Sequence, residues 1–326
     1  MRFFAYPLQV KPLFREMVWG GRNISGYMPI PAGKKIGEAA FFCDNPSCSS
    51  VIVNGQYKGM KLSKYMEKFG MQAVGIEAVA RSGRKFPLLV KFLDAKENLS
   101  VQVHPDEKAA AKLPGAHPKS EMWYVLGGGK KTCLYMGLKK KISTAGLINA
   151  AESGAVKDML VKKMIKKGDA YFLKAGLVHA VGEGSLLLEI QQNSDTTYRL
   201  YDWGRKSKSG KPRPLHLKEA AVCAAAGFKP AAAGCAKKTK AGVTVRPLFK
   251  EDFFAASEIS WKSGVTYMAS GSHAFILAVL KGKAEIKCKN APFKAQAGSV
   301  VFLPKNSAGW AINFGRAGTA IAAEIR

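Results

Sequence analysis

The sequence of 326 residues predicts a mainly β protein, with barrels of the sandwich or jelly-roll kind and short helical insertions. Two observations indicate this fold class. Short apolar runs that end at glycine or proline recur along the whole chain, which is typical of strands joined by tight turns. A glycine-centred pattern in residues 168–179 also returns in residues 298–309, so the chain contains an internal repeat. Many short strands of this kind favour closed or sandwiched sheets.

The first third of the chain is predicted to hold strands and one amphipathic helix. Residues 7–14 show two short strand-like pieces broken by a proline, and residues 36–42 and 50–53 show further strands. Over residues 62–77, apolar side chains recur at helical spacing, which predicts a short amphipathic helix.

The middle of the chain is predicted to combine short helices with more strands. Residues 105–113 begin with a proline and acidic side chains and end before a Pro-Gly pair, as helices often do. A second helix is predicted over residues 144–159, capped by a serine or threonine, and a third over residues 215–226 after a proline. Short strands are predicted over residues 161–190.

A change in composition marks the predicted domain boundary. Residues 227–242 are rich in alanine, glycine and lysine, which indicates a linker. The prediction is therefore a first domain over residues 1–226, with helical insertions, and a second over residues 243–326. The second domain again reads as all β, with strands at residues 243–249, 275–280, 284–287 and 300–303.

The charge balance is strongly basic. The chain has 51 Lys and Arg against 23 Asp and Glu, a net charge of +28, which favours polyanions or phosphorylated substrates as partners. The lysines are spread along the chain rather than gathered into one arm or helix face. This scatter is typical of a solvated surface and argues against a nucleic-acid partner.

The composition also bears on location. No stretch approaches the roughly 18 apolar residues of a membrane span, and residues 1–7 lack the apolar core and cleavage site of a leader. We therefore expect a cytoplasmic protein without a membrane partner. The six cysteines include no C-x-x-C pair. The spacing permits Cys43 and Cys48 to lie close together, but reduced thiols are the default inside cells.

Several polar residues form a candidate metal site. Side chains two apart on a strand face the same way, so Ser100, Gln102 and His104 are predicted to line one surface. Glu121 begins the next strand-like run, and His179 follows a glycine turn. An amide oxygen, a carboxylate and two imidazoles suit a divalent metal of the zinc type. Taken singly, each histidine is more often a hydrogen-bonded structural residue than a ligand, and Glu121 is more often a solvated strand-end carboxylate. Only their joint placement favours a metal.

The internal repeat resembles a known motif. Gly168 and His179 align with Gly298 and Gly309, with a short strand and a turn between them in each copy. This pattern is similar to the second motif of cupins, in which a glycine, a strand and a P-x-G turn precede a metal-binding histidine. Lys174 stands where that family usually has proline. The resemblance implies two cupin barrels, the second without a metal because its copy lacks the histidine.

Longer segments narrow the resemblance to one family. The chain resembles type I mannose-6-phosphate isomerases of the short bacterial form over nearly its whole length. The segments that carry this resemblance are residues 19–21, 54–59, 87–94, 100–106, 176–180 and 191–205. One further departure lies after Gly37-Glu38, where the family usually has a tryptophan nearby and this chain has Ala39-Ala40-Phe41.

The resemblance implies one zinc ion and a set of functional residues. The implied zinc ligands are Gln102, His104, Glu121 and His179. The implied active-site arginine is Arg199, and the implied substrate contacts are Ser100 and Lys119. The implied reaction interconverts mannose 6-phosphate and fructose 6-phosphate through a cis-enediolate, whose negative charge the metal and a permanently charged arginine would stabilise.

The sequence leaves several alternatives open. Glu189, Lys119 or a metal-bound water is a candidate base, and Glu189 is equally a residue that tunes the metal shell. Arg199 is alternatively a surface partner of Asp195 or Asp202. A different class of function is a non-catalytic cupin that binds sugar phosphate or nucleic acid, for which binding would be salt-sensitive. The oligomeric state and the metal used in the cell are not indicated.

Overall fold

The structure, a computed structural model, describes residues 2–46, 48–206, 210–225, 229–288 and 292–326. Within these ranges the chain is mainly β, as predicted, and its helices are short. The α-helices are α1 (Leu62–Val74), α2 (Ile76–Ser82), α3 (Glu107–Ala110), α4 (Thr144–Glu152) and α5 (Leu217–Cys223). Across the described ranges, none of them is long and apolar enough to span a bilayer.

The strands fall into two groups along the chain. Those before residue 202 are β1 (Leu8–Gln9), β2 (Leu13–Gly21), β3 (Ile36–Phe41), β4 (Asp44–Asn45), β5 (Cys48–Ser49), β6 (Leu88–Asp94), β7 (Val101–Val103), β8 (Glu121–Gly127), β9 (Cys133–Leu138), β10 (Leu160–Met164), β11 (Ala170–Leu173), β12 (His179–Val181), β13 (Leu186–Gln192) and β14 (Tyr198–Tyr201). Those after residue 230 are β15 (Ala231–Ala232), β16 (Lys238–Lys240), β17 (Val243–Lys250), β18 (Phe254–Trp261), β19 (Val265–Ala269), β20 (Phe275–Lys281), β21 (Lys283–Ile286), β22 (Phe293–Gln296), β23 (Val300–Leu303), β24 (Trp310–Phe314) and β25 (Gly318–Ile325).

The first barrel is built from two antiparallel sheets. One has five strands in the order β10-β9-β12-β7-β14, and the other has seven in the order β15-β11-β8-β13-β6-β3-β2. Apolar side chains from both sheets meet in one buried cluster, in which Leu134 comes from the first sheet and Trp123 and Leu187 from the second. The two sheets therefore face each other across a shared core.

The second barrel repeats this arrangement. Its sheets are seven-stranded, in the order β1-β23-β20-β25-β18-β17-β16, and four-stranded, in the order β19-β24-β21-β22. Its core includes Trp261 and Phe314, whose rings stack with centroids 3.9 Å apart. The amino-terminal strand β1 belongs to this barrel, because Leu8 pairs with Phe302 of β23.

A large apolar cluster joins the two barrels. It contains Phe92 and Ile190 from the seven-stranded sheet of the first barrel, Ile276 and Phe302 from the second, and Phe69 from α1. Because these side chains are buried together, the outer face of the first barrel's larger sheet is covered by the second barrel and α1 rather than by solvent.

Strand β8 is packed on both faces. Trp123 points into the first barrel's core, whereas Met122 and Tyr124 belong to the cluster between the barrels. The Tyr124 hydroxyl donates a hydrogen bond of 2.9 Å to Glu258, whose carboxylate also lies 2.8 Å from Arg246 Nη2. The strand that begins with Glu121 is therefore fixed to the second barrel by packing and by a buried polar contact.

The predicted helices occur, but each is shorter than its sequence pattern. The pattern over residues 62–77 becomes two helices, α1 and α2, separated by Gly75 at φ 97°. The pattern over residues 144–159 becomes α4, capped by Ser143, followed by a 3-10 turn at residues 155–159. The strand predicted over residues 50–53 is wrong, because only isolated bridges form there.

The internal repeat is present in the backbone. Gly168 and Gly298 have φ 89° and 87°, in the left-handed region that favours glycine, and each is followed two residues later by a strand. At Gly298 a Cβ would also collide with the carbonyl oxygen of Tyr27. Lys174 is exposed just before the turn at residues 175–176, so its replacement of proline affects a turn.

The proposed linker is partly structured. The boundary at residue 226 and the first linker residues, 227 and 228, lie outside the described residues. Farther on, β15 pairs with β11 of the first barrel and β16 pairs with β17 of the second. The division into residues 1–226 and 243–326 stays a prediction.

Cys43 and Cys48 form a disulfide, which corrects the expectation of reduced thiols for this pair. The β4 and β5 hairpin places Asn45 opposite Cys48, and the cysteine Cα atoms lie 6.0 Å apart. That separation is ordinary for a disulfide. The tight hairpin, which residue spacing does not specify, brings the two thiols together.

Candidate metal centre and active site

Three adjacent strands place a row of polar side chains on one face. Gln102 of β7 is the direct partner of His179 of β12 on one side and of Arg199 of β14 on the other. Directly opposed residues of antiparallel strands project to the same face of the sheet. His179, Gln102 and Arg199 therefore stand side by side across the five-stranded sheet.

The opposite sheet contributes the carboxylate of the centre. Glu121, the first residue of β8, has Oε1 3.3 Å from His179 Nε2 and Oε2 3.4 Å from His104 Nε2. The candidate ligand atoms of these three buried residues all lie within 4.8 Å of one another. The structure thus brings together His104, Glu121 and His179.

Backbone carbonyls orient both imidazoles. His104 Nδ1 lies 2.9 Å from the Thr196 carbonyl oxygen, and His179 Nδ1 lies 2.8 Å from that of Leu177. A ring whose Nδ1 donates to a carbonyl keeps its Nε2 lone pair free, which is the usual arrangement for metal-binding histidines. Both Nε2 atoms point towards Glu121.

Gln102 and Ser100 lie beside the centre. Gln102 Nε2 is 3.3 Å from His179 Nε2, and Gln102 Oε1 accepts a hydrogen bond of 3.3 Å from Ser100. A half-turn of the amide would present Oε1, the atom able to bind a cation. The row predicted for Ser100, Gln102 and His104 is therefore present.

The residues fit a divalent cation. Among the described buried side chains, His104 Nε2 and both Glu121 oxygens make no hydrogen bond of normal geometry, although Lys119 Nζ lies 3.0 Å from Glu121 Oε2. Buried polar atoms are normally satisfied, so three such atoms converging on one point indicate a ligand. Two imidazoles, a carboxylate and an adjacent amide form the nitrogen and oxygen donor set that zinc accepts.

The electrostatics keep these groups in their ligating forms. Burial, and then the positive charge of Lys119, lower the pKa of His104 to about 3, and burial lowers the pKa of His179. Burial alone would raise the pKa of Glu121, but the positive charge of Lys119 holds it well below its usual range. Neutral imidazoles and an ionised carboxylate are the forms that bind metal.

Lys119 lies against the centre. Its Nζ is 3.0 Å from Glu121 Oε2, and its side chain is buried. Lys119 is therefore not a solvated surface lysine. A buried ammonium at the edge of the centre is able to donate hydrogen bonds to an anionic or hydroxyl group bound there.

Glu189 belongs to a buried ionic group that the sequence analysis did not find. Its Oε2 accepts a hydrogen bond of 3.0 Å from Trp123 Nε1, and its Oε1 lies 3.4 Å from Lys91 Nζ. Lys91 Nζ also lies 3.8 Å from Glu38. Burial, and then the charge of Glu121, raise the pKa of Glu189. The Trp123 ring meets the His179 ring edge to face, with centroids 5.4 Å apart. The buried ionic group is therefore connected to the centre through Trp123.

A sequence signal for this group existed. Lys91 interrupts the otherwise apolar run of β6, and a lysine in a fully buried strand requires an acidic partner. The partner follows from strand register, because Lys91 is directly opposite Glu189 on β13. That register is not visible from the sequence of β6 alone.

Arg199 is held by the chain that follows β14. Its Nη1 donates to the Pro214 carbonyl oxygen at 2.8 Å. Asp202, one of the surface partners considered for it, instead contacts Arg205 and Arg213. Asp195, the other, lies 3.8 Å from Arg15.

Comparison with known proteins relates the chain to one family of enzymes. Residues 8–126 match the family model described as the catalytic domain of type I phosphomannose isomerase. A mannose-6-phosphate isomerase of Streptococcus mutans is 32% identical, over 94% of this chain and 95% of that protein. Mannose-6-phosphate isomerase ManA of Bacillus subtilis is 40% identical over 214 residues, which are 65% of this chain and 66% of ManA.

Solved structures show the same fold. The crystal structure of the mannose 6-phosphate isomerase from Bacillus subtilis superposes with a TM-score of 0.88 and 28% identity, covering 98% of this chain and 99% of that one. A putative mannosephosphate isomerase from Archaeoglobus fulgidus, at 19% identity, superposes with a TM-score of 0.77. The second likeness concerns the fold alone.

Proposed function

Because this chain belongs to the mannose-6-phosphate isomerase family, we propose that its isomerase reaction takes place at the centre of His104, Glu121 and His179. The chain is an aldose-ketose isomerase that interconverts mannose 6-phosphate and fructose 6-phosphate. The observation that supports this location is the convergence of buried ligand atoms from His104, Glu121 and His179 beside the row of Gln102 and Arg199.

The proposed metal is one zinc ion. His104, Glu121, His179 and Gln102 would hold it, and a bound zinc would supply Lewis-acid polarisation of substrate oxygens. The buried carbonyl contacts of both histidines support this assignment, since they fix the ring orientation before any ligand binds.

The remaining residues act on the substrate directly. The reaction moves a proton between C1 and C2 of the sugar phosphate through a cis-enediolate, and Arg199 supplies a permanent positive charge for this anion. Ser100 and Lys119 bind the phosphate or a sugar hydroxyl. Lys119 suits this role because its ammonium is buried at the edge of the centre.

Two side chains, Lys119 and Glu189, are candidates for the base, alongside the water considered above. The raised pKa of Glu189 makes it a stronger base than an ordinary carboxylate. Its two oxygens are occupied by Trp123 and Lys91, which supports a role in orienting the centre instead. A solvent isotope exchange experiment on the Glu189→Gln and Lys119→Met variants distinguishes them when substrate binding and zinc content are measured alongside, because loss of exchange at C2 with both retained identifies the base.

We also place the protein in the cytoplasm. Its substrate carries a phosphate charge that a bilayer excludes, so the enzyme has to share a compartment with it.

The experiment that tests the function is a coupled assay of mannose 6-phosphate conversion, with zinc content measured on the same sample. Activity should fall with zinc content during dialysis against a chelator and return on addition of zinc. Restoration by magnesium alone would contradict the zinc assignment. Sugar-phosphate binding without turnover at any zinc content would favour the non-catalytic alternative.

A further inference from the structure

The guanidinium of Arg199 is fixed by a short segment of chain. Besides the bond from Nη1 to the Pro214 carbonyl, the Arg199 amide donates to His216 Nδ1 at 3.2 Å. The His216 amide in turn donates to the Arg199 carbonyl at 2.8 Å. Residues 214–216 therefore hold both the backbone and the side chain of Arg199.

Arg213, the residue before this segment, is fixed by an ion pair with Asp202. Arg213 Nε lies 2.7 Å from Asp202 Oδ2, and Arg213 Nη2 lies 2.5 Å from Asp202 Oδ1. Such a two-pronged contact fixes direction as well as distance. Because Arg213 is bonded to Pro214, its position determines where the Pro214 carbonyl points.

Asp202 is itself a fixed point. It is buried, and its oxygen Oδ1 also lies 2.5 Å from Arg205 Nη2. The turn that follows is attached to the chain just before β7, since Trp203 Nε1 donates to the Leu99 carbonyl at 2.6 Å and Arg205 donates to that of Asn98. The contact is thus anchored to the strand that carries Gln102.

The fixed guanidinium keeps one donor for a ligand. Arg199 Nε is buried and has no hydrogen-bond partner among the described residues. A guanidinium that donates one N–H group to a carbonyl and leaves another N–H group unpaired is able to donate a hydrogen bond to a substrate oxygen. Without the carbonyl, the long side chain would sample many rotamers.

From these contacts we propose that Asp202 and Arg213 are positioning residues for the reaction, which set the orientation of the Arg199 guanidinium through the Pro214 carbonyl. The inference rests on the proposed role of Arg199 as the charge that stabilises the enediolate. It differs from the simpler interpretation that the ion pair only closes the loop between residues 202 and 213.

A double-mutant cycle separates the two interpretations. Arg213→Gln in the wild-type background should lower kcat about tenfold, with a smaller change in KM and unchanged zinc content, since alignment acts on the transition state. In the Arg199→Ala background, Arg213→Gln should cause no further loss, because the group it positions is gone. Arg22→Gln, which removes an exposed arginine bound to the Lys34 carbonyl, is the matched control and should leave kcat unchanged.

The outcomes are distinct. An equal loss of kcat from Arg213→Gln in both backgrounds would overturn the inference, as would no loss in the wild-type background. Full activity of Arg199→Ala would overturn the proposed role of Arg199 instead. If Arg213→Gln does not fold, Asp202→Asn removes the same contact with nearly unchanged shape, and the same cycle applies to it.

Discussion

Replacing Lys91 by methionine should strongly destabilise the first barrel. The change leaves two carboxylates, Glu38 and Glu189, without the ammonium that lies 3.8 and 3.4 Å from them. All three residues are buried, with Lys91 only 7% exposed. At an effective dielectric constant of about 20, a charge pair at this distance is worth roughly 5 kcal/mol, and breaking a buried pair costs about 3–5 kcal/mol.

The measurement is the free energy of unfolding from urea titration, followed by circular dichroism. The matched control is Lys64→Met, which breaks the ion pair of Lys64 with Glu67. That pair is shorter, at 3.1 Å, but its side chains are 65% and 64% exposed, so its loss should cost less than about 0.5 kcal/mol. Equal losses in the two variants would refute the argument that burial decides the cost.

Three further outcomes are expected. Glu121→Gln should weaken zinc binding by about 100-fold in a competition titration, because it removes the ligating charge, whereas the exposed Glu152→Gln should not change it. Asp202→Asn should lower thermal stability at pH 7. The arginine contacts lower the pKa of Asp202 despite its burial, so its stabilisation is present above the unfolded pKa of about 4 and is lost as pH falls through the folded value. The difference between this variant and wild type should therefore vanish on acidification, and a constant difference would contradict the assignment. Gly298→Ala should cost at least about 1 kcal/mol in unfolding experiments, because φ is 87° and the added Cβ meets the Tyr27 carbonyl. Gly264→Ala, at φ 73° with open space around it, provides the comparison for strain alone.

Local pattern predicted the parts of the site that depend on local geometry. The period of two along residues 100–104 predicts that Ser100, Gln102 and His104 share one face. In the structure Ser100 binds Gln102, and Gln102 and His104 both lie beside His179. The repeat around Gly168 and Gly298 is likewise a local signal, since a backbone φ near 90° strongly favours glycine.

The features that the sequence did not reveal depend on contacts between distant segments. The opposition of Lys91 and Glu189 follows from strand register, and β1 joins the second barrel through Leu8 and Phe302, which are far apart in the chain. The strand predicted at residues 50–53 is reduced to bridges because its partners, Val10 and Lys61, each meet it at one residue. The hydrogen bond from the Arg199 side chain to the Pro214 carbonyl joins residues 15 positions apart, and the sequence does not indicate it.

Because β8 is packed on both faces, the structure of the first barrel's site depends on the second barrel. Glu121 heads a strand whose other face, through Tyr124, is bound to Glu258 of the second barrel. Cutting the chain between the barrels would leave Met122 and Tyr124 in water and loosen the strand that presents the carboxylate. We therefore expect selection for turnover in the first barrel to constrain Glu258 of the second, because Glu258 binds Tyr124 in the strand that begins with Glu121.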